Sequence, residues 1–275
     1  MASEGLQGHR ARKRFGQNFL HDRHWIERIA KAVNATEGDD IVEIGPGQAA
    51  LTRELIAGAG KVRAVEIDRD LAAWLKETFP ESLSLIEADA LTLDWTQVAK
   101  NANLRVVGNL PYNISSPLLF KLLEAADHVK DQHFMLQKEV VDRMVAQHGS
   151  KTYGRLSVML QWRYRMQKLF DVPPGAFNPP PKVMSSVVRM IPKTKEEVPS
   201  VDFELFSSVV ANAFSQRRKT IRNALSALLS TEEIAACDVD PGARAEALPL
   251  DAFVRLAQKA EALGRKAVTP GTTVD

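Results

Sequence analysis

The chain has 275 residues, of which 45% are hydrophobic and 25% charged, and its formal net charge is +2. This composition is typical of a globular protein with enough apolar material for a core, and the length favours one large domain and one smaller one. No apolar run reaches 18 residues and the amino terminus has no apolar signal segment, so we expect a cytoplasmic protein without a membrane span. Cys237 is the only cysteine, so we expect no internal disulfide and no cysteine-based zinc site.

Strand and helix patterns alternate through the first half of the chain. Apolar residues at helical spacing predict a first helix over 24–34. The predicted strands that follow cover 41–44, 61–67, 83–87 and 104–108, with a fifth strand in 131–145 that runs into a helix. Strands that alternate with helices indicate an α/β domain with a mostly parallel sheet, covered on both faces.

The pattern changes after residue 170. Residues 171–181 contain five prolines, which predicts a stiff loop without regular structure. A last strand is predicted near 183–191, and 192–200 resembles a linker.

Only helical patterns follow the linker. Apolar faces occur over 203–214, 221–229 and 251–263, and Ser230 opens a capping box for a short helix between them. We therefore predict an α/β domain over 1–195 and an all-helical domain over 196–275.

A glycine-rich turn, Gly45-Pro46-Gly47, follows the strand 41–44. In an α/β sheet such a turn is a binding place for an adenosine cofactor, because the glycines let the ligand approach the backbone. Glu66 ends the next strand about 20 residues later, where a carboxylate can accept hydrogen bonds from ribose hydroxyls. A dinucleotide fingerprint requires a third glycine, and Pro46 lacks an amide that a pyrophosphate could use, so the turn suits a ligand without a pyrophosphate.

Two further acids lie near this turn. Asp89 follows the third strand and could be a helix cap or a turn residue. Its position at the same sheet edge as Gly45 and Glu66 favours a role in binding. Glu43 lies inside a strand, where it could serve the amides of the turn rather than the ligand.

The fourth strand ends in Asn109-Leu110-Pro111-Tyr112, at the same edge. An adenine amine is a poor nucleophile because its lone pair is delocalised into the ring. Hydrogen bonds from its two protons to the Asn109 side-chain oxygen and the Leu110 carbonyl would direct the lone pair at an electrophile. Tyr112 would offer a face on which a flipped base stacks. The structural alternative is a strand-to-helix turn with a buried tyrosine.

Five separated motifs carry a resemblance to one family. The turn EIGPG resembles the S-adenosylmethionine motif of Rossmann-like methyltransferases, and NLPY resembles the signature of amino-group methyltransferases. With GQNFL (16–20), FNPPPKVMSSV (177–187) and FSQRRKTIRNAL (214–225), they closely resemble the bacterial small-subunit rRNA adenine dimethyltransferases. The resemblance implies a Rossmann-like domain that uses S-adenosylmethionine, followed by a helical RNA-binding domain.

The resemblance also implies roles for particular residues. The residues implied to bind the cofactor are Asn18, Leu20, Gly45, Gly47, Glu66, Asp89 and Asn109. The residues implied to hold the reacting adenine are Asn109, Leu110, Tyr112 and Phe177. Phe177 would be a second stacking face for the base; alternatively, it is a hydrophobic plug in the proline loop.

The segment 216–223 holds four cations and no acid. Clustered cations without matching acids favour a polyanion partner, although a solvated face has the same pattern. The resemblance implies that this cluster binds rRNA phosphates through Arg217, Arg218, Lys219 and Arg222. The histidines have no second ligand at metal-binding spacing, so we expect no metal site.

The function implied by the resemblance is dimethylation of two adjacent adenines in the 3′-terminal hairpin of 16S rRNA, within the small ribosomal subunit. A 23S-type resistance methyltransferase is one alternative, because it shares both catalytic motifs. A non-catalytic assembly factor that recognises immature small subunits is another. Nothing indicates an obligate dimer, so we expect a monomer.

Overall fold

The computed structural model describes residue 6 and residues 16–99, 103–216 and 218–270. Two compact units can be distinguished. The first holds the described residues up to Val141 together with Arg165–Pro192. The second holds Asp142–Tyr164 and the described residues from Lys193 onward. The chain divides at 192/193, close to the expected boundary at 195/196. The second unit also includes 142–164, whereas the sequence predicted two domains that are each one continuous segment.

The described residues contain the following strands and helices. The strands are β1 (Phe19–Leu20), β2 (Ile41–Ile44), β3 (Val62–Glu66), β4 (Leu83–Glu87), β5 (Leu104–Asn109), β6 (Val129–Gln137), β7 (Tyr164–Val172), β8 (Phe177–Asn178) and β9 (Ser185–Pro192). The helices are α1 (Arg23–Val33), α2 (Ala50–Ala59), α3 (Arg69–Thr78), α4 (Trp95–Val98), α5 (Ser115–Leu123), α6 (Lys138–Met144), α7 (Arg155–Arg163), α8 (Phe203–Ala213), α9 (Ile221–Ala224), α10 (Thr231–Ala235) and α11 (Leu250–Ala262).

A seven-stranded sheet forms the centre of the first unit, in the order β4-β3-β2-β5-β6-β9-β7. The strands from β4 to β6 are parallel, and β9 is antiparallel to β6. All four residues of β2 are buried, as expected for a central parallel strand covered on both faces. The predicted α/β class with a mostly parallel sheet is confirmed.

The strand order reverses between β2 and β5. The chain runs outward from β2 to β4 and then returns to form β5 on the other side of β2. The loops at the carboxyl ends of these two strands diverge, and a crevice opens there, which is where open α/β sheets bind ligands.

A buried ion network holds α1 against the sheet. The Arg105 guanidinium lies 3.0 Å from the Asp131 carboxylate and 2.7 Å from that of Asp39. The same side chain donates to the Val33 carbonyl at 2.5 Å, at the carboxyl end of α1. Carbonyls at a helix end have no partner within the helix, so Arg105 stabilises the end of α1 while it neutralises the buried Asp131 and the partly buried Asp39.

The prediction that 171–181 lacks regular structure is wrong in part. Residues Pro174–Ala176 form a 3₁₀ turn, and Phe177 and Asn178 form β8, antiparallel to β1. Proline is compatible with the first turn of a helix, and β8 uses the two residues that precede the next prolines. The strand β7, at the edge of the sheet, was not predicted.

The second unit is helical. Trp162 of α7 packs its ring 5.4 Å from the rings of both Phe203 and Phe206 of α8. The capping box is confirmed, because the Ser230 hydroxyl accepts from the Glu233 amide at 3.2 Å. No helix in the described part of the chain is long and apolar enough to cross a membrane.

Candidate active site

A cavity of about 310 Å³ lies at the carboxyl ends of the central strands, a volume at the lower end of the range for ligand pockets. Its wall is built from segments that are distant in the sequence but meet at this edge of the sheet. The main segments are 16–20, 43–48, 65–67, 88–90 and 107–114. Four of the predicted motifs therefore contribute to one cavity, and the motif at 177–187 does so through Val187 alone.

The glycine turn has an unusual backbone conformation. Gly45, Gly47 and Ala49 all have positive φ, at 68°, 55° and 62°. The Gly45 amide donates to the Val65 carbonyl at 2.9 Å, which holds the turn against β3. A Cβ on Gly47 would lie 3.0 Å from the Phe19 ring, so the glycine allows the amino-terminal segment to lie across the turn.

Glu66 fixes the turn from the end of β3. One of its carboxylate oxygens accepts from the Gly47 amide at 3.3 Å, and the other accepts from the Asp68 amide at 2.9 Å. Burial raises the pKa of Glu66, whereas these two amides favour its ionised form. The Ile67 amide also favours the ionised form, and a carboxylate with about four acceptor positions keeps one for a ligand hydroxyl.

Glu43 is the second buried acid of the cavity wall. It is 3% exposed, and its Oε2 atom has no hydrogen-bond partner among the described residues. Burial, together with the nearby Glu66 carboxyl, raises the pKa of Glu43 to about 7. The sequence suggested that Glu43 serves the amides of the turn, but Glu66 is the residue that binds the Gly47 amide.

Asp89 lies in the wall beyond β4. Its Oδ1 atom accepts from the Leu91 amide at 2.9 Å, so Asp89 does stabilise a turn. Its Oδ2 atom accepts no hydrogen bond from a described residue. The turn and binding interpretations are therefore compatible, because each uses a different carboxylate oxygen.

The amino-terminal segment 16–20 contacts both sides of the cavity. The Gln17 side chain donates to Asp68 at 3.1 Å. The Asn18 carbonyl accepts from the Asn109 side-chain nitrogen at 3.0 Å. Leu20 is buried and lies opposite Phe177 in the β1–β8 pair. Asn18 and Leu20 thus line the cavity together with the glycine turn.

The Asn109-Leu110-Pro111-Tyr112 loop forms the adjoining wall. Because the Asn109 nitrogen is bound to Asn18, its oxygen is left as an acceptor. The Leu110 amide donates to the Met135 carbonyl at 3.1 Å, and the Leu110 carbonyl accepts no hydrogen bond from a described residue. Two acceptors are thus available at the tip of β5.

Tyr112 is half-buried, and its hydroxyl lies 3.0 Å from the Ser185 hydroxyl of β9. Burial raises the pKa of Tyr112, and the hydrogen bond with Ser185 opposes this shift. In the sequence, Ser185 is one residue of the FNPPPKVMSSV motif and has no predicted role. The only signal for it was the spacing in FNPPPKVMSSV, which does not indicate which residue a serine touches.

Phe177 is not brought to the cavity. It is 2% exposed, packs in the hydrophobic core and is absent from the cavity wall. This arrangement corresponds to the alternative role of a hydrophobic plug, because a ring buried in the core offers no free face to a base. The β1–β8 pairing explains the burial, since it places Phe177 beside Leu20 under the amino-terminal segment.

The cationic segment belongs to the second unit. Arg218, Lys219 and Arg222 are exposed, and none of them forms an ion pair with a described residue. Arg217 lies outside the described residues. Within the described part of the chain, no group of three or more His, Cys, Asp or Glu side chains could hold a metal ion.

Comparisons of the sequence with family models and with known proteins all indicate the same family. A family model for ribosomal RNA adenine dimethylase matches residues 8–261. A protein from Thiobacillus denitrificans named ribosomal RNA small subunit methyltransferase A is 57% identical over 241 residues, which cover 87% of this chain and 94% of that protein. The protein of the same name from Bordetella avium is 56% identical over 260 residues, covering 94% and 98% of the two chains.

Solved structures agree with this assignment. A dimethyladenosine transferase from Plasmodium falciparum has a TM-score of 0.80 at 25% identity, covering 91% of this chain and all of that one. The 23S rRNA methyltransferase ErmE has a TM-score of 0.68 at 26% identity, covering 89% of this chain and all of that one. These similarities and the strand order confirm the Rossmann-like methyltransferase fold. The chain belongs to the ribosomal RNA adenine dimethylase family.

Proposed function

We propose that the chain transfers methyl groups from S-adenosylmethionine to the exocyclic amines of two adjacent adenines in the 3′-terminal hairpin of 16S rRNA. The observation that carries this proposal is the pair of free acceptors at the tip of β5. Both acceptors are held in place by hydrogen bonds that adjoining nitrogens donate. The Asn109 side-chain nitrogen donates to the Asn18 carbonyl, and the Leu110 amide donates to the Met135 carbonyl. An amine with two protons matches two such acceptors.

The cavity wall fits S-adenosylmethionine. Glu66 can accept from the ribose hydroxyls, and the free Asp89 oxygen can accept from the adenine amine. Gly45 and Gly47 carry no Cβ atoms, which leaves room beside the turn for the ligand's amino-acid part. The Glu43 oxygen without a partner suits a ligand that carries an ammonium group. When bound, this cofactor supplies an electrophilic methyl group attached to a positively charged sulfur.

The residues of the chain act by positioning the amine. When the Asn109 oxygen and the Leu110 carbonyl accept hydrogen bonds from the two amine N–H groups, the lone pair turns out of the plane of the base and toward the cavity. Holding the reacting groups in this geometry can supply several kcal/mol of the barrier reduction. The amine becomes strongly acidic only as it is alkylated, so we infer that transfer needs no general base beforehand.

Tyr112 is suited to hold the base. An adenine within a hairpin must leave its stack to reach the cavity, and an aromatic ring recovers roughly 1–3 kcal/mol per stacked base. Tyr112 lines the cavity two residues beyond Leu110, and its hydroxyl is bound to Ser185. We propose Tyr112 as the stacking face, without a second face from Phe177.

The relatives favour the small subunit over the large one as the source of the RNA. Two relatives named for the small subunit are 57% and 56% identical to this chain, whereas the 23S enzyme ErmE is 26% identical. We propose that Arg217, Arg218, Lys219 and Arg222 bind phosphates of this RNA, which position the substrate without reading its sequence. We expect the protein to act as a monomer, in the cytoplasm where ribosomal subunits assemble.

Methyl transfer to defined RNAs tests this function. The protein is incubated with labelled S-adenosylmethionine and either unmethylated small subunits or naked 23S rRNA, and the RNA is digested to nucleosides. We expect dimethyladenosine at two adjacent adenines of 16S rRNA only. Dimethyladenosine restricted to 23S rRNA would contradict the proposal, and tight binding to small subunits without any transfer would favour the assembly-factor alternative.

A further inference from the structure

Two consecutive serines of β9, Ser185 and Ser186, are both almost completely buried, at 1% and 0% exposure. Successive side chains of a strand point to opposite faces of the sheet. The Ser185 hydroxyl lies 3.0 Å from the Tyr112 hydroxyl, whereas the Ser186 hydroxyl donates to Asp171 of β7 at 2.6 Å. Only one of the two serines therefore contacts the candidate active site.

We propose that Ser185 is a positioning residue for the reaction and acts through the ring of Tyr112. The proposal rests on the proposed function, because it assumes that Tyr112 stacks on the reacting base. A tyrosine side chain rotates about two bonds, and its hydroxyl lies on the axis of the second. A hydrogen bond to that hydroxyl therefore restrains rotation about the first bond and holds the far end of the ring in one place. The Ser185–Tyr112 contact thus fixes the position of the ring against which a base can stack.

The partner of Tyr112 is itself rigid. Ser185 pairs with Gln137 in the β6–β9 ladder, and the Lys138 amide donates to the Met184 carbonyl at 2.9 Å. Tyr112 is restrained at its other end as well, because its carbonyl accepts from the Ser115 hydroxyl at 3.1 Å. A ring held at both ends is preorganised, which is the property that positioning of a reactant requires.

The same strand pair also holds the two amine acceptors. Met135 of β6, whose carbonyl accepts from the Leu110 amide, lies opposite Val187 of β9. The stacking ring and the acceptor loop are therefore both fixed to the β6–β9 pair. Loss of the Ser185 hydroxyl should release the ring while leaving the acceptors in place.

A double-mutant cycle tests this inference on the full chain. The variants are Ser185→Ala, Tyr112→Phe and the two combined, each assayed for kcat and KM on small subunits and for the dissociation constant of S-adenosylmethionine. We expect Ser185→Ala to lower kcat by roughly three- to tenfold, the effect of one net hydrogen bond, with cofactor binding unchanged. In the Tyr112→Phe background, the same change should have no further effect.

Ser186→Ala is the matched control, because it removes an equally buried hydroxyl from the next residue of the strand. We expect it to keep kcat within about twofold of the wild type, and we expect Ser185→Thr, which retains a hydroxyl, to restore turnover. Thermal unfolding of all variants separates folding defects from kinetic ones.

Three outcomes would overturn the inference. The first is a wild-type kcat in Ser185→Ala, and the second is an equal loss of kcat in Ser186→Ala. The third is a Ser185→Ala substitution that lowers kcat as much in the Tyr112→Phe background as in the wild type. If the wild-type protein itself methylates no adenine, the proposed function fails instead, so the two failures are distinguishable.

Discussion

Asn109 has two functions that depend on different atoms of one side chain. Its nitrogen binds the Asn18 carbonyl of the amino-terminal segment, and its oxygen is left for the substrate. Asn109→Ala removes both, so we predict that turnover falls by about 10²-fold or more while small subunits are still bound. Single-turnover methylation and a subunit-binding assay measure the two effects.

Asn109→Asp is the informative companion variant. It keeps an oxygen acceptor but replaces the donor with a second oxygen, which would face the Asn18 carbonyl. We expect turnover nearer to that of Asn109→Ala than to that of the wild type, with weaker cofactor binding because the amino-terminal segment loses its partner. Near-normal turnover of either variant would refute the role of this side chain.

Glu43 gives the site a pH dependence that stability measurements can detect. Because its pKa is raised from 4.5 to about 7, the folded protein holds a proton between those pH values that the unfolded chain has released. The contribution of Glu43 to stability therefore becomes less favourable as pH rises through that window. We predict that Glu43→Gln gains up to about 3 kcal/mol in unfolding free energy relative to the wild type between pH 4.5 and pH 8.

Urea unfolding at a series of pH values checks this prediction, with the exposed Glu81→Gln as the control. The control should follow the wild-type pH dependence. Parallel curves for the wild type and Glu43→Gln would mean that Glu43 is not protonated in the folded protein.

At the scale of elements, β5 leaves no room for a side chain where Gly108 faces β2. A Cβ on Gly108 would lie 2.7 Å from the Ile44 carbonyl oxygen, and that oxygen belongs to backbone. We predict that Gly108→Ala destabilises the protein by about 1–3 kcal/mol and lowers turnover, because β5 must shift and Asn109 moves with it. Urea unfolding and methylation rates measure the two effects.

Gly175→Ala is the control for this variant. Nothing lies within 4 Å of a Cβ at Gly175, so we expect a change within about 0.5 kcal/mol and normal turnover. Equal stability of the two variants would show that the β2–β5 contact is less constrained than the structure indicates.

The elements differ in how far the sequence predicts them. Central strands such as β2 are short apolar runs bounded by turns, and these were predicted close to their observed bounds. The edge strand β7 reads YRMQKLFDV and has mostly half-exposed side chains, so it shows neither a buried run nor a clean alternation. The strand β8 has two residues and exists only because β1 pairs with it.

The same limit applies to the site. Gly45, Glu66, Asp89 and Asn109 could be predicted because each ends or follows a strand, and carboxyl ends of parallel strands share one edge. The Tyr112–Ser185 contact could not, because it joins residues that are 73 positions apart and no local pattern reports it. The burial of Phe177 likewise depends on tertiary pairing with Leu20.

At the scale of the whole molecule, the candidate active site and the candidate RNA-binding cations lie in different units, so charge substitution can test the cations separately. The cavity and its acceptors belong to the first unit, and the exposed cations Arg218, Lys219 and Arg222 belong to the second. Because these cations have no acidic partner among the described residues, reversing them disrupts no ion pair that supports the fold.

We therefore predict that Arg218→Glu with Arg222→Glu weakens RNA binding strongly at low salt, while leaving the affinity for S-adenosylmethionine unchanged. Loss of two phosphate contacts should reduce the slope of log K against log salt by about 1.4. Filter binding across a salt titration measures this slope.

The control is Lys195→Glu with Lys266→Glu, which changes the net charge equally at other exposed positions of the same unit. If both double variants lose the same affinity for RNA, the effect is one of overall charge and the 216–223 segment is a solvated face. If only Arg218→Glu with Arg222→Glu loses affinity, the segment is an RNA contact. The turnover that this variant loses should then return at high substrate concentration.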